Sequence, residues 1–184
     1  MSDQIRVSGI VGASITDGPG FRYTIFVQGC SHNCPGCHNP ETHDPNGGTL
    51  YDAAELIEAM SRDPMLSGVT LSGGEPFEQA AQLIPIAEAA RARGLEVAAY
   101  TGYLYETLLA DTGARRALLE LCDVLIDGPY IDEKRNLDIR FKGSENQRII
   151  DVPASIAAGS VVLKEDGRWI AGEDPFWAGM RERI

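Results

Sequence analysis

The sequence predicts an α/β protein with a mainly parallel sheet, and two observations carry that expectation. Short β-branched runs alternate with segments of helical period, the signature of βαβ units. Every unusual motif falls where one of those runs ends, and in parallel sheets that is where ligands sit. The length, 184 residues with 43% apolar, suits one ordinary domain with a packed core.

The elements follow in order. "RYTIFVQ", Arg22 to Gln28, is β-branched and aromatic and reads as a strand ending at Gly29. In "TLYDAAELIEAMSRD", Ala53, Leu56, Ile57 and Met60 share one helical face, and Thr49 with Asp52 supplies a capping-box start. "GVTLSGG", Gly68 to Gly74, is the next strand. A helix follows in "EQAAQLIPIAEAARARG", with Leu83, Ile86, Ala87 and Ala90 inward and Gly94 as its stop. Pro85 leaves its start open, since proline suits a first turn and disrupts an interior. "LEVAAYTG" is a strand, "LYETLLAD" and "ARRALLELC" are helical, and "DVLIDG" is a further strand. After Asp151 the Asp-Gly of "VVLKEDGRWIA" predicts a hairpin over Val161 to Ala171, and "DPFWAGMRERI" a terminal helix. Trp169 and Trp177 read as packing residues. The expected division is residues 1–151 as the core and 152–184 as a C-terminal extension.

Composition excludes several functions. A formal net charge of −11 argues against nucleic acid or an anionic membrane as partner. No apolar run reaches the roughly eighteen residues a membrane span needs. The first residues, "MSDQIRVSGIVG", lack a signal-peptide pattern, so the expected location is the cytoplasm, with thiols reduced.

That makes "GCSHNCPGCHNP", Gly29 to Pro40, the informative stretch, because it holds three of the four cysteines as Cys30-x₃-Cys34-x₂-Cys37. Zinc fits a Cys₃His set, with His32, His38 and His43 nearby, although such sites usually join two ligand pairs set well apart. A [4Fe–4S] cluster normally takes four thiolates, so three would leave one iron open to a substrate. Cys122 sits in the apolar context "LELCDVLID" and reads as core.

The cysteine triplet after the first strand, with "GGEP" (Gly73 to Pro76) ending the second, resembles the radical S-adenosylmethionine (SAM) superfamily. The resemblance implies a partial (β/α) barrel of the radical SAM type. It implies a [4Fe–4S] cluster on Cys30, Cys34 and Cys37, with the amino and carboxylate groups of SAM chelating the fourth iron. Backbone at Gly73 and Gly74 would receive the SAM ammonium, Glu75 would add negative charge there, and Gly36, Cys37 and His38 would lie toward the adenine. Gly36 stands where many members carry an aromatic residue.

"TDGPGFRYTIFVQGCSHNCPGCHNP" is similar to the activating enzymes of glycyl-radical enzymes. "YTGY", "VLIDGPY" and "RFKGSENQRIID" are similar to the branch serving anaerobic (class III) ribonucleoside-triphosphate reductase. Lys142 stands where that branch suggests arginine, losing a planar fork. The resemblance implies an oxidoreductase: flavodoxin or ferredoxin reduces the cluster, SAM is cleaved to methionine and a 5′-deoxyadenosyl radical, and a glycine of the reductase loses a hydrogen atom. No catalytic acid or base is then required. Three alternatives stand beside this one. The first is an activator of another glycyl-radical enzyme, such as formate acetyltransferase. The second is an enzyme acting on a small molecule, as a carboxy-deazaguanine synthase does. The third is a non-catalytic zinc or electron-transfer module.

Overall fold

A computed structural model describes residues 4–136 and 138–170. Its strands are β1 (Gln4–Ser14), β2 (Arg22–Val27), β3 (Thr49–Asp52), β4 (Gly68–Gly73), β5 (Glu96–Tyr100), β6 (Val124–Asp127) and β7 (Arg148–Asp151). The helices are α1 (Ala53–Ser61), α2 (Ala80–Ala92), α3 (Tyr105–Ala110), α4 (Ala114–Leu121), α5 (Val152–Ala158) and α6 (Gly167–Ile170). The strands form one sheet in the order β3-β1-β2-β4-β5-β6-β7. β2, β4, β5 and β6 run parallel, as the alternation predicts. β1, β3 and β7 add antiparallel margins.

Alternation along each strand separates two faces. Tyr23, Ile25, Val69, Leu71, Val97, Leu125 and Ile150 join Leu56, Met60, Leu83, Ile86 and Leu118 in the main core under the helices. The other face is more polar. Arg22, Thr24 and Thr70 are buried there, beside a small cluster of Ala98, Val124, Ile126, Ile149 and Trp169. Helices α1 to α5 leave that second face free for a site, and only α6, through Trp169, packs on it.

Three local expectations change. α1 is capped by Asp52 with Glu55, whose carboxylate accepts from the Asp52 N–H at 3.2 Å, while Thr49 lies in β3. Pro85 falls inside α2, which begins at Ala80. An interior proline costs about 3 kcal/mol. Full burial of Leu83 and Ile86, at about 1.5–3 kcal/mol each, offsets it. The hairpin expected over Val161 to Ala171 does not form among the described residues. Leu163 makes one antiparallel bridge to Ile150, and the segment then turns into α6, where Asp166 accepts from the Arg168 N–H at 2.9 Å. Burial of the whole Trp169 ring outweighs the turn preference of Asp166–Gly167. The terminal helix and Trp177 lie outside the described residues. Gly94 does end α2, at φ +73°, with its N–H on Arg91 O at 2.9 Å.

Candidate functional site

The site grows from the ends of the parallel strands. At the end of β2 the Gln28 side chain donates to Glu41 O at 2.9 Å and Asp44 O at 2.7 Å, folding the following loop back on itself. Gly29 turns at φ +96° and donates to Thr42 O at 2.7 Å. The loop then turns through Asn33 and Gly36, at φ +50° and +71°, and Cys37 N–H closes onto Cys34 O at 3.2 Å. Two chain reversals in so few residues bring Cys30, Cys34 and Cys37 to one wall of a cavity of ≈ 520 Å³. All three thiols are free and half-buried.

Gly73 and Gly74 face the same space. Their lack of a side chain serves the fold directly. A Cβ at Gly73 would lie 2.6 Å from the Phe26 backbone, and one at Gly74 2.2 Å from Gly29 O. Gly74 N–H donates to Val27 O and Glu75 N–H to Gly29 O, both at 2.8 Å, so this turn and the cysteine loop are laced together.

Glu75 is fully buried and does not itself line the cavity. Its carboxylate accepts from Phe77 N–H at 3.0 Å, Thr101 Oγ1 at 2.9 Å and Gly102 N–H at 2.8 Å, and pairs with His32 Nε2 at 2.8 Å. One side chain thereby ties the ends of β2, β4 and β5. The hydrogen bond that His32 donates to the Glu75 carboxylate raises the His32 pKa above its ordinary value. His32 also meets the Tyr103 ring edge-on at 4.6 Å, and Arg115 lies 4.7 Å over that ring. Gly36 likewise stands off the cavity, backed against Asp132, where a Cβ would lie 2.7 Å from Oδ1. Of the residues singled out from sequence, Cys30, Cys34, Cys37, His38, Gly73 and Gly74 line the cavity, while Gly36 and Glu75 support it from behind.

The opposite wall comes from the segment after β6. Tyr130 packs on His38 at 4.8 Å, and its hydroxyl donates to Asp132 at 2.7 Å. Phe141, Lys142 and Gly143 continue the rim. Asp17, of the Asp-Gly-Pro-Gly turn, lines the cavity, and its carbonyl accepts from Thr70 Oγ1 at 2.9 Å. Asp127 does not reach the cavity. It is buried in an ion pair with Arg148, with Tyr105 N–H on its Oδ2 at 2.8 Å. Phe26, Ser72, Tyr100 and Tyr130 are wall residues that the sequence reading missed. The first three sit at alternate positions on one face of their strands, and that period-2 signal was available.

The donor set fits an iron–sulfur cluster. Burial raises the Cys30 thiol, which the N–H groups of His32 and Asn33 oppose, and Asn39 N–H donates to Cys37 Sγ at 3.4 Å. Such N–H···S contacts favour thiolate. Nε2 of His43, on the same wall, is buried without a protein partner. Among the described residues no three His, Cys, Asp or Glu side chains converge on one point. A cubane would offer each of the three thiolates its own iron. Cys122 is fully buried in the main core, its thiol pushed up to about 12 by burial and donating to Leu118 O at 3.3 Å. It is packing.

Residues 16–150 match the family model described as "4Fe-4S single cluster domain", which sets the class: a single-cluster iron–sulfur protein. The chain is 32% identical over 141 residues to the anaerobic ribonucleoside-triphosphate reductase-activating protein of Escherichia coli K12, covering 72% of this chain and 90% of that one. The protein of that name from Vibrio cholerae is 33% identical over 143 residues, covering 73% and 90%. The one from Enterobacteria phage T4 is 32% identical over 150 residues, covering 76% and 90%. The chain belongs to the family of anaerobic ribonucleoside-triphosphate reductase-activating proteins. No helix among the described residues is long and apolar enough to cross a membrane.

Proposed function

We propose that this protein is an activating enzyme that uses a [4Fe–4S] cluster and SAM to install a glycyl radical on anaerobic ribonucleoside-triphosphate reductase. The observation that carries the reading is the placement of three half-buried thiols and the Gly73–Gly74 turn on one cavity at the carboxyl ends of parallel strands. Cys30, Cys34 and Cys37 hold three irons. When bound and reduced, the cluster supplies one electron for cleavage of a carbon–sulfur bond of SAM.

The chain's own residues bind, orient and exclude water. Backbone at Gly73 and Gly74 receives the methionine end of SAM, and His38 with Tyr130 flanks the adenine end. Glu75 holds the two ends in register through His32, Thr101 and Gly102. No residue need move a proton during hydrogen-atom abstraction.

The sheet, with α1 to α5 on one face, is read as a partial (β/α) barrel of the radical SAM type, whose open side admits a glycine-bearing segment of the reductase. Residues 1–151 form the core that carries the site, and 152–184 the extension. Flavodoxin or ferredoxin is the proposed electron source, and the cytoplasm the proposed location.

The test is electron paramagnetic resonance (EPR) on anaerobic mixtures of reconstituted protein, SAM, a one-electron reductant and the reductase. The reading predicts a glycyl doublet that requires all four components and collapses to a singlet when the reductase carries α-deuterated glycine. A colourless zinc protein indifferent to SAM, or no doublet from a fully loaded protein, refutes it.

A further inference from the structure

The segment after Asp151 starts on the helical face of the sheet, where Val152 of α5 joins the main core, and finishes on the opposite face beneath the cavity. It passes around the edge alongside β7. Asp151 N–H donates to Val162 O at 2.9 Å, Lys164 N–H to Ile149 O at 2.8 Å, and the Lys164 ammonium pairs with Asp151 at 2.8 Å. The segment then delivers Trp169, fully buried, into the second apolar cluster.

There the indole meets three parts of the site's support. It packs edge-on against Phe141 at 5.3 Å, it lies 5.4 Å from the guanidinium carbon of Arg22, and its Cη2 would be 3.0 Å from a Cβ on Gly18. Gly18 follows Asp17, and both Asp17 and Phe141 line the cavity. Phe141 holds φ +54°, a left-handed conformation that strains a bulky side chain and persists only where surrounding contacts enforce it. The contact at hand is Trp169. Yet Trp169 lies beyond the family domain, which the match ends at residue 150.

We infer that the C-terminal segment is a built-in floor for the cofactor cavity, with Trp169 a positioning residue that holds Phe141, and through Gly18 the Asp17 turn, against the bound nucleoside. The inference rests on the SAM reading and adds to it a part outside the shared domain. Trp169 itself touches no ligand; it acts through Phe141.

The experiment compares wild type, Trp169→Ala, Trp169→Phe, Phe141→Ala and the Trp169→Ala/Phe141→Ala double variant. Each is reconstituted anaerobically and assayed for iron content and for S-adenosylhomocysteine affinity by equilibrium dialysis. Trp169→Ala and Phe141→Ala should each weaken binding by about tenfold, the scale of one lost aromatic contact, at wild-type iron content. Trp169→Phe should recover most of the affinity, and the double variant should bind no worse than Phe141→Ala, because the two residues act as one unit. If the alanine variant at Trp169 is insoluble, Trp169→Leu takes its place, keeping apolar volume without the ring. Wild-type affinity in Trp169→Ala, failure of Trp169→Phe to rescue, or fully additive losses each overturn the inference. A loaded wild-type protein that binds no S-adenosylhomocysteine overturns the SAM reading itself, and this inference with it.

Discussion

Glu75→Gln separates a structural tie from a cofactor contact. The two carboxylate oxygens of Glu75 divide the work: Oε1 accepts from Phe77 N–H at 3.0 Å, and Oε2 from Gly102 N–H at 2.8 Å with His32 Nε2 at 2.8 Å. An amide has one oxygen. Whichever way it is turned, its NH₂ group faces a buried backbone N–H that cannot rotate away, although the Thr101 hydroxyl can. One buried donor left unsatisfied costs about 1–3 kcal/mol. For a chain of this size each kcal/mol shifts Tm by about 2–4 °C, so a loss of about 2 kcal/mol predicts a drop of about 4–8 °C. The assay is thermal unfolding by circular dichroism on metal-free protein, so that no cofactor enters the result. A Tm within about 1 °C of wild type, combined with weakened SAM binding, would refute the tie and restore Glu75 as a charge aimed at the cofactor.

Other outcomes follow from the same geometry. Cys34→Ala should abolish cluster loading and SAM cleavage while Cys122→Ala keeps both, as iron and sulfide analysis will report. Cys122, with its thiol raised to about 12, should resist iodoacetamide in the native protein at pH 8, where on the order of one thiol in ten thousand is ionised; rapid labelling before unfolding would contradict its burial. Arg148→Met strips the buried Asp127 of its cation and should cost about 3–5 kcal/mol by urea denaturation, the loss typical of removing one partner of a buried pair. Arg148 also holds the Glu106 carboxyl below its ordinary value. That contribution is complete above the ordinary carboxylate pKa and fades as pH falls through the lowered folded value, and Arg148→Met should abolish this acid-side dependence.

The parallel centre of the sheet was legible because β2, β4, β5 and β6 are short, largely apolar or β-branched runs with a glycine at or within two residues of each end. The margins were not. β1 reads "QIRVSGIVGAS", interrupted by Gly9 and Gly12, and the four-residue β3 and β7, "TLYD" and "RIID", lack the unbroken apolar run and glycine stop that mark β6. The cysteine triplet was found from its spacing, and the Gly73–Gly74 turn from the family resemblance that it shares with the triplet; both lie at strand ends, which follow from chain order. The orientation of Glu75 was not, because its partners His32 and Thr101 come from other loops and only the assembled sheet brings them together. Trp169 shows the converse limit. Its packing role was readable, but the local Asp-Gly signal predicted a hairpin where burial of one large ring dictates a turn of helix.

The proposed function requires an iron that the polypeptide leaves without a fourth thiolate. The most direct measurement is the EPR spectrum of the anaerobically reduced [4Fe–4S] protein, recorded before and after adding SAM labelled with ¹⁷O at its carboxylate or ¹⁵N at its amino group. Coordination at the open iron predicts a changed g-tensor and hyperfine coupling from both labels. A spectrum indifferent to SAM, or one already showing a protein nitrogen on that iron, would contradict it.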